Sequence, residues 1–237
     1  MSKHKKMYIQ SNQLLPIKPV GETQKKVFEG YEKNKNLFLT GSAGTGKTFI
    51  LLHLALKDVL DKTTPFEKVI LVRSLLPSRD IGFLPGTLEE KSGLYQDPYR
   101  ILIRYLFEAP SEQDMAQLYD KLVAQGTFEF YSTSFLRGQT FDRSIIIVDE
   151  ASNLTFQELD TIMTRVGQDS KIMFAGDMAQ SDLRKTNGDR EGYHNFQAIL
   201  GEMEEFDVIE FDIGDIVRSG LVRSYLIAKN HIARPLA

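Results

Sequence analysis

A glycine-rich segment early in the chain combines the residue types that bind phosphate. Residues 41–48 read Gly-Ser-Ala-Gly-Thr-Gly-Lys-Thr, after an apolar run at 37–39 and before a helical pattern at 49–60. Strand, glycine-rich loop and helix in this order are the context of a phosphate-binding P-loop, in which backbone N–H groups and a lysine surround the β- and γ-phosphates and the last hydroxyl can bind Mg²⁺. The pattern predicts that the chain binds a nucleoside triphosphate through Gly41, Ser42, Ala43, Gly44, Thr45, Gly46, Lys47 and Thr48.

Two adjacent acids follow a second apolar run. Residues 145–148 are Ile-Ile-Ile-Val, and Asp149 and Glu150 come directly after them. P-loop enzymes need one carboxylate at the end of a neighbouring strand to hold Mg²⁺ and a base to activate the attacking water. We therefore expect Thr48 and Asp149 to bind the metal and Glu150 to polarise water. A strand followed by an acidic helix cap is the alternative interpretation.

A third apolar run, at 172–175, is followed by Gly176, Asp177 and, a little further on, Gln180. Adjacent parallel strands end over one crevice, so polar residues here are expected beside the γ-phosphate. Gln180 is predicted to sense that phosphate, and Asp177 to orient the water or the metal shell. An ordinary Gly-Asp turn is the alternative.

Alternating strand and helix patterns indicate the fold class. Ser111 with Asp114, and Thr155 with Glu158, are start signals of helices. The alternation predicts an α/β fold with a central, mostly parallel sheet and helices on both faces. The strands are predicted at residues 37–40, 69–73, 128–131, 145–148 and 172–175, with a weaker one at 207–211.

The strand at 128–131 has a bearing on the class of enzyme. It falls between the P-loop half of the chain and the strand that ends at Asp149. An intervening strand is typical of P-loop proteins with a catalytic glutamate, such as RecA and helicases. The intervening strand therefore disfavours the kinase and GTPase classes of P-loop protein.

Composition and length limit the organisation of the chain. The 237 residues carry a net charge of −3 and no cysteine, which excludes disulfides and thiolate metal sites and fits a cytoplasmic location. No apolar stretch is long enough to cross a bilayer.

We expect an N-terminal tail or extension at 1–20 and a single domain at 21–237. An irregular insertion is expected at about 75–110, with a helix at 98–107.

These motifs resemble the PhoH-type ATPases, a phosphate-starvation-inducible family related to superfamily 1 helicases. The resemblance extends from about residue 21 to residue 226. It rests on residues 44–48, 82–86, Lys91, Pro98, Tyr99, 136–140, 149–151, Leu159, 164–167, 176–183 and 215–218. Ser152 departs from the family pattern, which usually has glutamine there, and Ser219 stands where a histidine is common.

The resemblance implies a RecA-like core, Mg²⁺-dependent hydrolysis of ATP and a link to RNA. It also implies that Gln24 recognises adenine and that Arg218 is an arginine finger; the transferring phosphoryl group indeed needs a cation beyond Lys47 and the metal. A surface ion pair is the alternative for Arg218. With one core in the chain, a finger is expected to come from a neighbouring subunit. A homo-oligomer, such as a ring with ATP sites at its interfaces, is therefore predicted.

Two functions from different classes remain open. The first is an ATPase coupled to single-stranded RNA or DNA, without a prediction of duplex unwinding because one core cannot step along a strand alone. Its candidate nucleic-acid contacts are Arg73, Arg79, Arg137 and Arg143, with Phe83 or Phe135 as a stacking face. The second is a nucleotide-gated regulatory or assembly module with slow turnover and a protein partner. Stimulation of hydrolysis by nucleic acid distinguishes the two.

Overall fold

A computed structural model describes residues 9–74, 88–133, 136, 138–177 and 187–233 of the chain. Its six strands are β1 (Asn36–Gly41), β2 (Lys68–Arg73), β3 (Phe128–Ser132), β4 (Ser144–Asp149), β5 (Lys171–Ala175) and β6 (Phe206–Phe211). Its α-helices are α1 (Glu22–Glu32), α2 (Lys47–Leu60), α3 (Leu88–Leu106), α4 (Glu112–Ala124), α5 (Phe156–Met163), α6 (Asn187–Gly201) and α7 (Gly220–Ala233). Short 3-10 helices cover Ser11–Gln13 and Ala151–Asn153. None of the helices in these ranges has both the length and the apolar character needed to cross a membrane.

The strands form one sheet in the order β3-β2-β4-β5-β1-β6. Every pair of neighbours is parallel. The predicted α/β class is therefore confirmed, and each predicted strand lies within one residue of its observed ends. The weaker sixth strand is a full member of the sheet, paired with β1 along its whole length.

The identity of the intervening strand was predicted wrongly. We interpreted the strand at 128–131 as the one that intervenes between the P-loop half and the strand ending at Asp149, but β3 is an edge strand that pairs with β2. The strand that lies between β1 and β4 is β5, which comes later in the chain. Parallel strands are joined by crossover connections, so order along the chain does not give order in the sheet. An intervening strand exists, but it is the one that ends before Asp177.

Both faces of the sheet are buried under helices, as predicted. Side chains of β4 alternate, with Ile145 and Ile147 in a core under α1–α4 and Ile146 and Val148 in a second core under α5 and α6. Successive residues of a strand point to opposite faces, so a continuous apolar run can serve both cores. All six residues of β4 are buried. The acids that follow it are thus held on a rigid central element.

The inserted segment is more regular than expected in its second half. Helix α3 begins at Leu88, ten residues before the predicted start at residue 98, and runs for 19 residues with Pro98 inside it. Proline removes one helical hydrogen bond. The buried side chains of Tyr99, Ile103 and Leu106 keep this part of the helix packed against the first core. Residues 75–87 of the predicted insertion lie outside the described residues.

The N-terminal extension also contacts this helix. The N–H of Leu15 donates to the carbonyl oxygen of Leu106 at 2.7 Å. Ile9 and Leu14 are buried and belong to the first core. Residues 9–15 are therefore packed on the first core, and Leu15 is bonded to the end of α3.

The capping box predicted at Thr155 is present and provides a test of local stability. The Thr155 hydroxyl accepts from the N–H of Glu158 at 3.3 Å, and the Glu158 carboxylate accepts from the N–H of Thr155 at 2.9 Å. Replacing Thr155 by Ala should lower the free energy of unfolding by about 1 kcal/mol, because the first turn of α5 loses its acceptor. Urea denaturation measures this change.

Thr161→Ala in the same helix is the matched control. Its hydroxyl bonds only back to the carbonyl oxygen of Gln157, so we expect a change below about 0.5 kcal/mol. Equal losses in the two variants would contradict a specific role of the cap.

Candidate active site

The predicted site residues converge at the carboxyl edge of the sheet. Three strands end there side by side, in the order β4-β5-β1. Because parallel strands all end at one edge, the residues that follow them face a common crevice. A cavity of about 540 Å³ lies at this edge, lined by residues 43–49 together with Arg73, Leu102, Asp149, Glu150, Ser152, Asn153, Ala175, Gly176, Asp177 and Arg218.

The P-loop backbone needs its glycines. Gly41, Gly44 and Gly46 have φ values of +102°, +76° and +85°, in the left-handed region where glycine is unstrained. A Cβ on Gly41 would lie 2.0 Å from the carbonyl oxygen of Phe211. That same oxygen accepts from the N–H of Ser42 at 2.9 Å, so β6 holds the start of the loop.

Lys47 is buried inside the loop. Its Nζ donates to the carbonyl oxygens of Gly41 and Ser42 at 3.0 and 2.7 Å. Burial lowers the pKa of this amine to about 8, and the negative charges of Asp177 and Asp149 oppose part of that effect. A bound phosphate would add the compensating negative charge that this ammonium group lacks within the loop.

The predicted metal ligands contact each other. Thr48 Oγ1 donates to Asp149 Oδ1 at 2.7 Å, which places a hydroxyl and a carboxylate together. Both are oxygen ligands of the kind that Mg²⁺ prefers, so the pair fits this ion. No cluster of three or more histidine, cysteine or acidic side chains suitable for a metal occurs in the described ranges. Such an ion would therefore complete its coordination with phosphate oxygens and water.

Tyr99 is a site residue that the sequence reasoning did not assign. Its hydroxyl donates to the other oxygen of Asp149, Oδ2, at 2.7 Å. The side chain is only 1% exposed, and burial, followed by the charge of Asp149, raises its pKa well above 10. Tyr99 thus stays a neutral donor that fixes the orientation of the Asp149 carboxylate. The only signal in the sequence was its place in the family-like Pro98-Tyr99 pair.

Glu150 follows β4 in a left-handed conformation, with φ of +51°. Its Oε1 accepts from Nη2 of Arg73 at 2.5 Å. Its Oε2 lies 3.4 Å from Nδ2 of Asn153, which donates to it. The predicted base is therefore in the cavity, but both of its oxygens are engaged. Arg73 was predicted as a contact of nucleic acid, and its pairing with Glu150 was not foreseen.

The Ser152 side chain links the segment that follows β4 to the segment that follows β5. Its buried hydroxyl donates to the carbonyl oxygen of Asp177 and accepts from the N–H of the same residue, both at 3.1 Å. Asp177 itself lines the cavity, as predicted. Ser152, which stands where the family usually has glutamine, thus bonds with its short side chain to the backbone that follows β5. Gln180, the predicted γ-phosphate sensor, lies outside the described residues.

Arg218 lies beside the P-loop of its own chain. The N–H of Val217 donates to the carbonyl oxygen of Gly44 at 3.1 Å. A Cβ on Gly44 would lie 3.1 Å from Cγ of Arg218. The sequence argument expected this arginine to act in the site of a neighbouring subunit. In the single chain it lines the cavity of its own P-loop, and its action in a neighbouring subunit stays a prediction.

Gln24 is a buried support of the loop. Its Nε2 donates to the carbonyl oxygen of Thr45 at 3.1 Å, and its Oε1 accepts from the N–H of Val20 at 2.9 Å. It is 5% exposed. Both ends of the amide are therefore bonded to backbone, and the recognition of adenine by Gln24 stays a prediction.

Of the other predicted nucleic-acid contacts, Arg143 lies within the described residues, and it is away from this site. Arg143 precedes β4, at the opposite edge of the sheet, and pairs with Glu67 at 2.9 Å on an exposed surface. Phe83, Arg79, Phe135 and Arg137 lie outside the described residues.

Known proteins resemble this chain over most of its length. The family model of the PhoH-like proteins matches residues 16–229. A PhoH-like protein of Mycobacterium leprae (strain TN) is 33% identical over 207 residues, covering 87% of this chain and 56% of the relative. A PhoH-like protein of Bacillus subtilis (strain 168) is 32% identical over 213 residues, covering 90% and 63%. Protein PhoH of Escherichia coli (strain K12) is 31% identical over 215 residues, covering 90% and 58%. The chain thus spans less than two thirds of each of these relatives.

Solved structures show weaker similarity. Unliganded Pif1 from Bacteroides sp. has a TM-score of 0.41 and 18% identity, covering 90% of this chain and 46% of that chain. The Pif1 helicase from Bacteroides in complex with ADP-AlF3 and ssDNA has a TM-score of 0.37 and 16% identity, covering 83% and 42%. Similarity at this level supports no further conclusion.

The assignment therefore rests on the sequence matches and agrees with the P-loop geometry described above. The family model spans nearly the whole chain, and each of the three relatives is more than 30% identical to it. This chain belongs to the PhoH-like protein family.

Proposed function

We propose that residues 21–237 form a single ATPase domain that hydrolyses the β–γ anhydride of ATP with Mg²⁺ and couples this reaction to single-stranded RNA or DNA. The observation that carries the proposal is the contact of Thr48 with Asp149, with Glu150 next in the chain and all three in the cavity of the P-loop. A hydroxyl, a metal-binding carboxylate and a base in one cleft are the parts that hydrolytic P-loop enzymes require.

The residues divide the work as follows. N–H groups of the P-loop and the ammonium group of Lys47 bind the β- and γ-phosphates, and Thr48 and Asp149 would hold Mg²⁺. The ion would neutralise charge on the β- and γ-phosphate oxygens. Glu150 takes a proton from a water whose oxygen forms the new bond to the γ-phosphorus, while the bond from that phosphorus to the β–γ bridging oxygen breaks and ADP leaves. Arg218, which lines the cavity, would stabilise the charge on the phosphoryl group.

The coupling to nucleic acid is supported by the family resemblance and by the position of Arg73. This arginine stands at the carboxyl end of β2, where it lines the cavity and lies 5.8 Å from the ring centre of the partly exposed Tyr95. Arginine and aromatic side chains together are a usual combination for binding single strands. One measurement tests this coupling: phosphate release from ATP with and without single-stranded RNA.

The second candidate function is a nucleotide-gated module that acts through a protein partner. The contacts of Ser152 favour it. They join the segment after β4 to the segment after β5, and the short serine side chain replaces the longer glutamine that is usual in the family. Slow phosphate release that RNA does not change would support this function over the first.

We also propose that the protein forms a homo-oligomer. Leu221, Val222 and Tyr225 on α7 are 85%, 53% and 63% exposed, and they adjoin the loop that carries Arg218. Exposed apolar side chains grouped in this way are typical of protein interfaces. The mass in solution, determined by light scattering with and without ATP, tests this proposal.

If Glu150 is the general base, its loss should slow the hydrolysis of ATP without weakening the binding of ATP. Glu150→Gln should bind ATP normally and release phosphate roughly a hundredfold or more slowly, the usual effect of losing a general base. Lys47→Ala should instead lose nucleotide binding. Glu67→Gln, on an exposed side chain far from the cavity, is the control and should match the wild type. Normal turnover by Glu150→Gln would show that another group is the base.

The pKa of Lys47 predicts a pH dependence of nucleotide affinity. In the nucleotide-free protein this amine is charged below a pKa of about 8 and neutral above it. Phosphate binds the charged form, so affinity should stay constant below pH 8 and fall by about tenfold per pH unit above it, until the higher pKa of the complex is reached. Titration with a fluorescent ATP analogue between about pH 7.5 and 9.5 measures this.

Lys47→Arg provides the comparison. Arginine stays charged throughout this range, so its affinity, although lower, should not depend on pH. A parallel decline in both proteins would assign the effect to another group.

A further inference from the structure

The base of the proposed reaction is held by two donors. Oε1 of Glu150 accepts from Arg73 at 2.5 Å and Oε2 accepts from Asn153 at 3.4 Å. A general base needs a lone pair directed at the water, and these contacts direct one lone pair of each oxygen at a protein donor instead. They therefore fix the direction in which the carboxylate faces, and release of Arg73 would let it turn toward the water.

Arg73 is the stronger of the two restraints, and it is firmly placed. It is the last residue of β2 and stands in register with Asp149 on β4. Its side chain is 18% exposed and lies near the rings of Tyr95 and Tyr99 from α3. The partner side chain of Glu150 is 42% exposed, so solvent screens the contact in part, but the mostly buried guanidinium group holds it more firmly than a pair between two surface side chains would be held.

The guanidinium group of Arg73 also has a hydrogen-bond donor without an acceptor among the described residues. Its Nε is buried and has no hydrogen-bond partner among the residues that the structure describes. Arginine has five N–H donors in a planar fork that suits phosphate as well as carboxylate. A phosphate oxygen could therefore replace Glu150 as the partner of Arg73 without leaving the cation unpaired.

The position of Arg73 in the sheet bears on which phosphate this is. The order β2-β4-β5-β1 places its strand three positions from the strand that leads into the P-loop. With neighbouring strands about 4.8 Å apart, roughly 14 Å separate the two strand ends, and the Thr48–Asp149 pair that would hold the metal lies between them. Arg73 thus contacts Glu150 from the side of the cavity opposite to the P-loop. A phosphate of a second ligand would approach from that side, and turnover with and without RNA distinguishes it from a phosphate of the nucleotide.

We propose that Arg73 is a switch residue that keeps Glu150 inactive until a backbone phosphate of single-stranded nucleic acid takes the place of the carboxylate. The inference rests on the proposed function, since it requires that Glu150 be the base. No covalent bond changes in the switch: the guanidinium group exchanges one anion for another, and the freed carboxylate turns to water. Arg73 is a positioning residue in this scheme, because it acts through Glu150.

Helix α3 would transmit the state of the switch to the metal site. Tyr99 lies near Arg73 and donates to Asp149, so one helix contacts Asp149 directly and Glu150 through Arg73. A nucleic-acid strand that rearranges Arg73 would therefore act close to the side chain that orients the metal-binding carboxylate. This is a function for the Pro98-Tyr99 element that nucleotide binding alone does not explain.

The test is Arg73→Gln, compared with the wild type by phosphate release with and without polyuridylate and by binding of a fluorescent ATP analogue. Without RNA, turnover should rise by roughly tenfold, the change that corresponds to losing one net charge-assisted hydrogen bond. RNA should then add little, and ATP affinity should stay unchanged. Lys68→Gln breaks a part-buried ion pair at the opposite end of β2, to Glu129 at 3.1 Å, and should change neither the rate nor the stimulation by RNA.

Arg73→Lys adds a second variant in case Arg73→Gln does not fold. It keeps the charge but not the fork, so RNA-free turnover should lie between those of the wild type and Arg73→Gln. RNA-free turnover that is unchanged or lower in folded variants would overturn the switch. Faster turnover together with a wild type indifferent to RNA would overturn nucleic acid as the trigger.

Failure of the proposed function has a different signature. In that case the wild type would release no phosphate with or without RNA, and neither substitution of Arg73 would create such an activity. A wild type that hydrolyses ATP but does not accelerate on loss of Arg73 would leave the ATPase proposal intact and remove only the switch.

Discussion

The pairing of β5 with both β1 and β4 is the constraint on which the site depends. This strand brings the end of β1, which leads into the P-loop, within two strand spacings of the end of β4. Thr48 can then reach Asp149 at 2.7 Å, although 101 residues separate them in the chain. The ladder that holds this arrangement is made of backbone hydrogen bonds buried between two apolar cores, so it is rigid. Because Asp177 follows β5, the same pairing places it in the cavity between the P-loop, which follows β1, and Glu150, which follows β4.

The cavity is also an electrostatic compromise. Lys47 and Asp149 are both buried, and charges removed from water are costly unless they are paired. Asp149 is compensated by the donors Thr48 and Tyr99, and Lys47 by carbonyl oxygens. The lowered pKa of Lys47 shows that this compensation is incomplete. A site of this kind gains stability when an anion and a cation enter together, which is what a nucleotide with its metal would supply.

Much of the fold could be predicted because its signals are local. The strands could be located from apolar runs, and α5 from the capping box at Thr155, since each signal involves residues near one another in the chain. The P-loop and its acids were found in the same way. Strand order and the start of α3 could not be found, because they depend on distant partners. Tyr99, for example, lies in the part of α3 that contains Pro98 and is buried against Asp149, which is 50 residues away in the chain.

The sequence by itself determined the elements, the fold class and the residues able to bind phosphate and metal, because motif chemistry follows from residue type and short spacing. Only the tertiary structure decided which strand separates β1 from β4, that Arg218 faces its own P-loop, and that Arg73 pairs with Glu150. These contacts join residues that are remote in the chain. They are set by crossover connections and by packing between helices and sheet, and neither has a signature in any short segment.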